Sequence, residues 1–401
     1  MSKIAFLTPY LPYPADTGGK IRSFELLKGL AECHELHVIT VHGTLDTAAG
    51  ATVEKLGVEI QHFPVNNPNT FLYQLRKVLS IVPHHVSYFV SRTALGQVKE
   101  YLQKNSFDLV FVDEIVMTPY VTELEGSARL LALQNIDYQL RYDMAARAPR
   151  GLGKLKMLYE AARLKHFSNN VFRQRWDAAI ICSVSDEMII NSVNPRTKTY
   201  VIPNGVDLDF FQPQERSENN LPTLLFVGSM FYYPNIDAIL YFFTHIYQQV
   251  LAAIPNIRIL IVGHNPPSQI QQLASQYPEV TVTGSVPDVR PYFAESTMVI
   301  VPLRLGGGTS LKVVQGLSME RPVVTTSVGV RGLNLVAGQD LLIADDPTTF
   351  ADAIIQLVRD RQKRAELSAN GKQAVQQFSW QALAEQVRLI CEAIIKNRAG
   401  A

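Results

Sequence analysis

Between Val301 and Val324 the chain reads VPLRLGGGTSLKVVQGLSMERPVV, an apolar run, three glycines, two hydroxyl residues and then a helical pattern. Gly306, Gly307 and Gly308 remove the Cβ atoms that would hold a ligand away from main-chain N–H groups. Thr309 and Ser310 bring hydroxyls to a helix start, where amide hydrogens and the helix dipole favour an anion. Such a turn can hold a phosphate. Arg304 and Lys312 add positive charge on either side, which suits a diphosphate. The same residues also describe a tight turn capped by Thr309 with two solvated cations, and the glycines alone leave both readings open.

A second glycine pair, Gly18-Gly19, follows Asp16-Thr17 between an apolar run and a helical pattern, with Lys20 and Arg22 just behind. A lone pair of glycines is weak evidence without that placement. Metal chemistry has little support: Cys33, Cys182 and Cys391 are far apart and lack ligand spacing, so neither zinc nor a disulfide framework is expected, and a reducing cytoplasm fits. His34, His37 and His42 fall in or near one apolar run and are expected to pack or face solvent; His264 follows another run.

The 401 residues exceed what one hydrophobic core usually supports, and 47% hydrophobic with 18% charged residues is globular composition. Lys plus Arg total 37 against 36 for Asp plus Glu, so overall charge gives no reason to expect a nucleic-acid partner. Apolar runs at 3–8, 35–41, 109–112, 128–133, 177–183 and 199–202 alternate with helical patterns at 21–32 and 94–104. That rhythm predicts a parallel sheet covered on both faces. It restarts at 224–227, 258–262, 280–283, 298–302, 323–325 and 341–343. The polar stretch 212–220, QPQERSENN, has linker composition between the two halves. The expected architecture is α/β, two Rossmann-like doubly wound domains, 1–215 and 216–401, with the last helix near 380–396 free to cross back. The N-terminus leads straight into Ile4–Leu7 and Pro9, too short for a signal-peptide core, and no apolar run of eighteen residues occurs, so any membrane contact is expected to be peripheral.

With these pieces in place, the segment 301–324 resembles the donor-site signature of family-4 retaining glycosyltransferases of GT-B fold, especially a bacterial subgroup reading roughly PLxxGGGTxxKxxEAxAxGxPVV. The resemblance implies a nucleotide-sugar donor, UDP or GDP, with the pyrophosphate at the helix start formed by Gly308, Thr309, Ser310 and Leu311. It puts Gln315 where a family glutamate binds the ribose, and Gly307 where a second glutamate stands in other members. The stretch 226–243, FVGSMFYYPNIDAILYFF, resembles the subgroup's opening strand, loop and helix, with Gly228 at the strand end. Its usual basic pair is missing here, leaving more of the phosphate binding to Arg304 and Lys312. VTGSVPDVR, 282–290, matches the segment whose backbone lines the base, with Ser285 and Val286 at the base site; Asp288 is read as the cap of a helix over 289–294. Gly18 and Gly19 resemble the family's N-terminal glycine loop, which approaches donor phosphate and sugar across an inter-domain cleft. Gln134, Asn135 and Asp137 align with a pattern HNxE, so glutamine replaces the family histidine at the candidate catalytic position.

The family's retaining transfer uses front-face attack without a covalent enzyme intermediate, so positioning and stabilisation of the leaving diphosphate carry most of the acceleration. The resemblance implies no cofactor and no divalent metal, the nucleotide sugar being a substrate, and a glycan, glycolipid or other hydroxyl acceptor as the second partner. Two alternatives stay open: a catalytically silent GT-B protein, favoured by Gln134 and Gln315 at two polar family positions, and an epimerase on the same architecture. The segment 141–175 carries nine Lys and Arg residues against Asp143 and Glu160, with interleaved leucines. It reads either as a helix docking peripherally on anionic lipid at the inner face of the membrane or as a basic rim attracting an anionic substrate.

Overall fold

The computed structural model describes residues 1–65, 80, 82–214 and 221–399. Residues 215–220, where the sequence boundary was drawn, lie outside the described residues. Two compact units are present, Met1–Pro203 with Gln381–Ala401, and Asn204–Trp380. Their division differs from the sequence expectation for a physical reason: the segment after Pro203 is already tied into the second unit. Asn204 donates its main-chain N–H to Thr309 Oγ1 at 2.6 Å and its side-chain amide to the Thr309 carbonyl at 2.9 Å. The N–H of Val206 bonds to the carbonyl of Phe378, and that of Trp380 to the carbonyl of Val206.

The helix Trp380–Ala399 leaves the second unit within its first turn. It packs so closely on the helix Gly18–Ala31 that a Cβ at Gly29 would come within 2.4 Å of Ala384 Cβ. Arg398 closes its far end on Asp177 at 3.1 Å.

The first unit holds seven parallel strands: β1 (Lys3–Thr8), β2 (Glu35–Thr40), β3 (Glu59–His62), β4 (Leu109–Asp113), β5 (Ala128–Ala132), β6 (Ala178–Ile181) and β7 (Thr199–Val201), in the order β3-β2-β1-β4-β5-β6-β7. Central strands such as β1 and β4 are buried on both faces, which is why they read as unbroken apolar runs. Phe6 and Phe111 stack between them with centroids 4.7 Å apart. Edge strand β3, EIQH, was not foreseen: its side chains are only half-buried, so it carries no apolar run.

The second unit holds six parallel strands: β8 (Thr223–Val227), β9 (Arg258–Val262), β10 (Val280–Gly284), β11 (Met298–Val301), β12 (Val323–Thr325) and β13 (Leu342–Ile343), in the order β10-β9-β8-β11-β12-β13. Each sheet reverses its winding once, between β1 and β4 in the first unit and between β8 and β11 in the second. In doubly wound sheets the loops leaving the carboxyl ends of such a strand pair diverge and leave a crevice where ligands bind.

Candidate active site

In the second unit the crevice is flanked by the loop after β8, containing Gly228, and the loop after β11, containing Gly306 to Ser310. Asn235 joins them. Its amide donates to the Ser229 carbonyl at 2.8 Å, and Gly228 is a glycine of necessity, since a Cβ there would lie 2.7 Å from Asn235 Nδ2. Asn235 Oδ1 accepts from Lys312 Nζ at 3.0 Å. Lys312 is only 9% exposed, and its ammonium lies 5.2 Å from the Phe226 ring centroid. Burial pushes its pKa down to about 8, with no carboxylate among the causes to offset it. A buried cation without a counter-ion is costly unless an anion arrives to pair with it.

Arg304 is placed differently from expectation. Its guanidinium grips Asp237 at 2.6 and 3.1 Å and lies 4.3 Å from the Tyr241 centroid. Asp237 stands on the helix Tyr233–Tyr241, which also carries Asn235, so the fold supplies Arg304 with its own carboxylate and leaves Lys312 without one.

The glycine turn has the conformation its composition requires at Gly308, where φ is +64°. Gly307 donates its N–H to Tyr232 Oη at 3.5 Å. Thr309 does not cap the helix; its hydroxyl oxygen and carbonyl both serve Asn204, as above. Ser310 is the N-cap residue of the helix Leu311–Ser318, yet it makes no side-chain cap bond and its Oγ is buried without a partner. The free amides at that helix start, beginning with Leu311, and the Ser310 hydroxyl thus stand beside Lys312. Gln315 lies on the same helix, half-buried.

Ser285 follows β10, and its Oγ is 2.5 Å from His264 Nδ1. The exposed ring of Phe231 sits 5.4 Å from His264. Residues from the loops after β8, β9 and β10 therefore share one patch, which the sequence marked at Ser285 and Val286 and, more weakly, at His264. Val286 is partly buried against the core. Asp288 is not the helix cap: the helix runs Arg290–Glu295 with Val289 at the N-cap, while Asp288 accepts from the Arg290 main chain at 2.9 Å and from its guanidinium at 2.7 Å.

In the first unit the crevice between β1 and β4 gathers residues the sequence had kept apart. Gly18 opens the helix Gly18–Ala31, capped by Thr17, whose hydroxyl accepts from the Lys20 N–H at 3.4 Å. Gln134, after β5, donates to the Gly19 carbonyl at 3.2 Å; a Cβ on Gly19 would lie 2.7 Å from Gln134 Oε1. Ser23 and Thr8 donate to Asp113 Oδ2 at 2.5 and 3.1 Å. Burial pushes the Asp113 carboxyl up to about 6 despite those bonds and the nearby Arg22 charge.

Glu114 carries a left-handed φ of +81°, and its carboxyl is raised well above the usual range by burial, then by Asp137 and Asp113. Asp137 Oδ2 lies 3.6 Å from His85 Nε2, a histidine the sequence did not single out. Asn135 is half-buried between Gln134 and Asp137. The two cations behind the glycine pair are already engaged: Lys20 pairs with Asp16 at 3.0 Å, and buried Arg22 donates to the carbonyls of Ile202 and Pro203 at 2.9 and 3.0 Å.

Residues 221–360, which contain Gly228, Lys312 and the glycine turn, match the family described as glycosyl transferases group 1. Over 390 residues the chain is 21% identical to an uncharacterised 44.6 kDa protein in the cps region of Klebsiella pneumoniae, covering 94% of this chain and 96% of that protein. The fold is similar to sucrose-phosphate synthase from Thermosynechococcus elongatus, with a TM-score of 0.72 at 18% identity over 99% of this chain and 100% of that one. It is also similar to Anabaena Alr3699/HepE, solved in complex with UDP and glucose, with a TM-score of 0.66 at 14% identity over 98% of this chain and 100% of that one. The segment 221–360 of the second unit thus resembles glycosyl transferases group 1, and the two parallel-sheet units match the fold of GT-B glycosyltransferase structures.

Proposed function

We propose that the protein is a retaining glycosyltransferase that moves a sugar from a nucleoside diphosphate, UDP in the first instance, to a hydroxyl of a glycan or glycolipid, with no resident cofactor. The observation that carries this reading is Lys312: a buried ammonium, uncompensated by a carboxylate, beside a glycine turn and a helix N-terminus whose amides are unfilled. Together these groups suit the charge that gathers on a diphosphate as its bond to the sugar breaks. Main-chain amides bind the phosphates at Gly308 to Leu311, Gln315 reaches the ribose, and Ser285 and Val286 border the base, with Phe231 offering a ring face. Gln134 has no basic site, so its contribution is to orient a sugar or acceptor hydroxyl rather than to take a proton.

Incubation with radiolabelled UDP- and GDP-sugars, with and without a bacterial lipid extract, tests the proposal. Acceptor-dependent transfer of label with the anomeric configuration of the donor kept, read by NMR, is expected. Nucleotide binding with no transfer or hydrolysis from any donor would instead favour the silent reading, to which the uncharged Gln134 and Gln315 lend support.

We also propose that the enzyme works at the inner membrane face. No helix among the described residues is long and apolar enough to cross a bilayer. The helix Leu152–Arg173 nevertheless shows Leu152 at 85% and Leu155 at 62% exposure, with Lys154, Lys156 and Lys165 nearby. Arg163 is not part of this face, being buried against Glu160 and bonded to the Val82 carbonyl at 2.6 Å. Binding to vesicles containing phosphatidylglycerol is expected to fall steeply with salt and to be absent on phosphatidylcholine alone. Equal binding to both, or none at low salt, removes the membrane from the proposal.

A further inference from the structure

The turn between the helix Gly18–Ala31 and β2 carries His34, whose ring faces the last helix, Trp380–Ala399, with its side chain only 3% exposed. Both ring nitrogens are buried without a hydrogen-bond partner, so the imidazole leaves a donor and an acceptor unmet whichever tautomer it adopts. The main chain on either side pins it there. The N–H of His34 bonds to the Leu30 carbonyl at 3.1 Å, and that of Glu35 to the Ser2 carbonyl at 3.0 Å. The ring therefore reaches water when the last helix moves, not when its own turn does.

Among the described residues, the charged groups that act on the ring are Glu392 and Arg388 of the last helix and the amino group of Met1. Glu392 Oε1 lies 3.9 Å from His34 Nε2, beyond hydrogen-bond reach, and is already engaged by Arg388 one turn earlier. Arg388 also donates to Glu385 at 2.7 Å. Cys391, between these groups on the helix, is buried, and burial keeps its thiol protonated. Burial likewise holds the imidazole pKa below its ordinary value; Glu392 pulls it up, and Arg388 and the Met1 amine push it down again.

We propose that His34 is an acid-sensitive latch for the last helix: the docked helix keeps a proton off the ring, and acid favours the undocked helix, in which the ring is hydrated and charged. The direction follows from linkage. Above about pH 6.5, the ordinary histidine value, the ring is neutral in both forms and the latch holds. As pH falls below that value, the undocked form takes a proton that the docked form refuses. Docking then weakens by at most about tenfold per pH unit, the limit for one proton, until the docked ring itself protonates. The chain passes between the units at Pro203–Asn204 and again at Trp380–Gln381, so undocking gives up the second of these as a fixed connection. The latch does not depend on the glycosyltransferase reading.

Hydrogen–deuterium exchange of the full chain, read by mass spectrometry from about pH 7.5 to about pH 5.5 and corrected for intrinsic rates, measures it. Protection of peptides from 381–399 is expected to fall roughly severalfold over that range relative to the helix Leu311–Ser318 in the second unit. His34→Phe keeps an aromatic ring without its nitrogens; its last helix should be protected at least as well as in wild type at the upper pH, and the loss in acid should be absent. Arg388→Met leaves the ring in place, removes one cation and frees Glu392 to pair with the protonated imidazole, so the loss should shrink. Glu392→Gln should leave it at least as large. Wild-type protection that is flat with pH overturns the proposal, as does an undiminished loss in His34→Phe. Should that variant not fold, an undiminished loss in Arg388→Met overturns it instead.

Discussion

Replacing Lys312 by methionine is expected to weaken UDP binding by about 10- to 150-fold, the range spanned by loss of a charge-assisted contact to phosphate in a desolvated site. Methionine keeps the length and apolar volume of the lysine stem, so the change removes the ammonium and little else. The pH dependence gives the assignment a sharper signature. The folded protein holds Lys312 near a pKa of about 8, below its ordinary value, and an anion bound beside it favours the charged form. Wild-type affinity should therefore be flat below about pH 8 and fall above it, with proton uptake on binding in that range, whereas the variant should show neither.

The stability of the nucleotide-free protein moves in the opposite sense. Between about pH 8 and the ordinary lysine value the unfolded chain binds more protons than the folded one, so this residue makes stability rise with pH across that window. Lys312→Met removes that slope and should be as stable as wild type, or more so, near neutrality. Calorimetric titration in two buffers of different ionisation enthalpy measures both the affinity and the proton count. Undiminished affinity in Lys312→Met with an unchanged pH profile would take this residue out of the phosphate site. Arg304→Ala, by contrast, should act mainly on stability, because its guanidinium is engaged by Asp237.

The largest effect on folding is expected at Gly263, where β9 ends. An alanine Cβ there would lie 1.9 Å from the Gly228 carbonyl oxygen and 2.8 Å from its carbon. Both are main-chain atoms of a loop already fixed by the bond from the Gly228 N–H to the Val262 carbonyl, so neither can rotate away. Gly263→Ala should destabilise the second unit by more than about 3 kcal/mol, beyond the ordinary range for overpacking, because strand separation itself must change. Urea unfolding followed by the fluorescence of a probe in that unit reads the loss directly, and a midpoint equal to wild type would refute the packing argument. Gly228→Ala is the instructive contrast. Its nearest obstacle is the Asn235 side chain, which can swing aside, so folding should suffer less while UDP binding falls through the displaced partner of Lys312.

These two residues also mark how far the sequence could be read. Gly306 to Gly308 announce a tight turn because the conformation of such a turn is local, and strands such as β1 and β11 announce themselves because burial on both faces makes them uniformly apolar. Which of the two cations lacks a carboxylate partner was not legible. Arg304 and Lys312 look equivalent in one dimension; what separates them is Asp237, distant in sequence, which claims one and leaves the other unpaired. Gly18-Gly19 and Gln134 were each singled out separately, yet their contact, and the support of Ser23 by Asp113, depend on strand order. Edge strand β3 left no trace at all, since its EIQH sequence has neither alternation nor an apolar run.

The placement of the last helix also bears on biosynthesis. Asn204–Trp380 is one continuous stretch of chain, so the second unit needs nothing from beyond Trp380 to complete its core. The first unit, although translated earlier, must wait for Gln381–Ala401 to cover the helix Gly18–Ala31 around Gly29. Its sheet can assemble before then, but with an apolar helix surface left bare until that last helix has been made. The nascent protein thus spends the synthesis of its second half with an unfinished first half, the period in which chaperone binding or premature association would act on it.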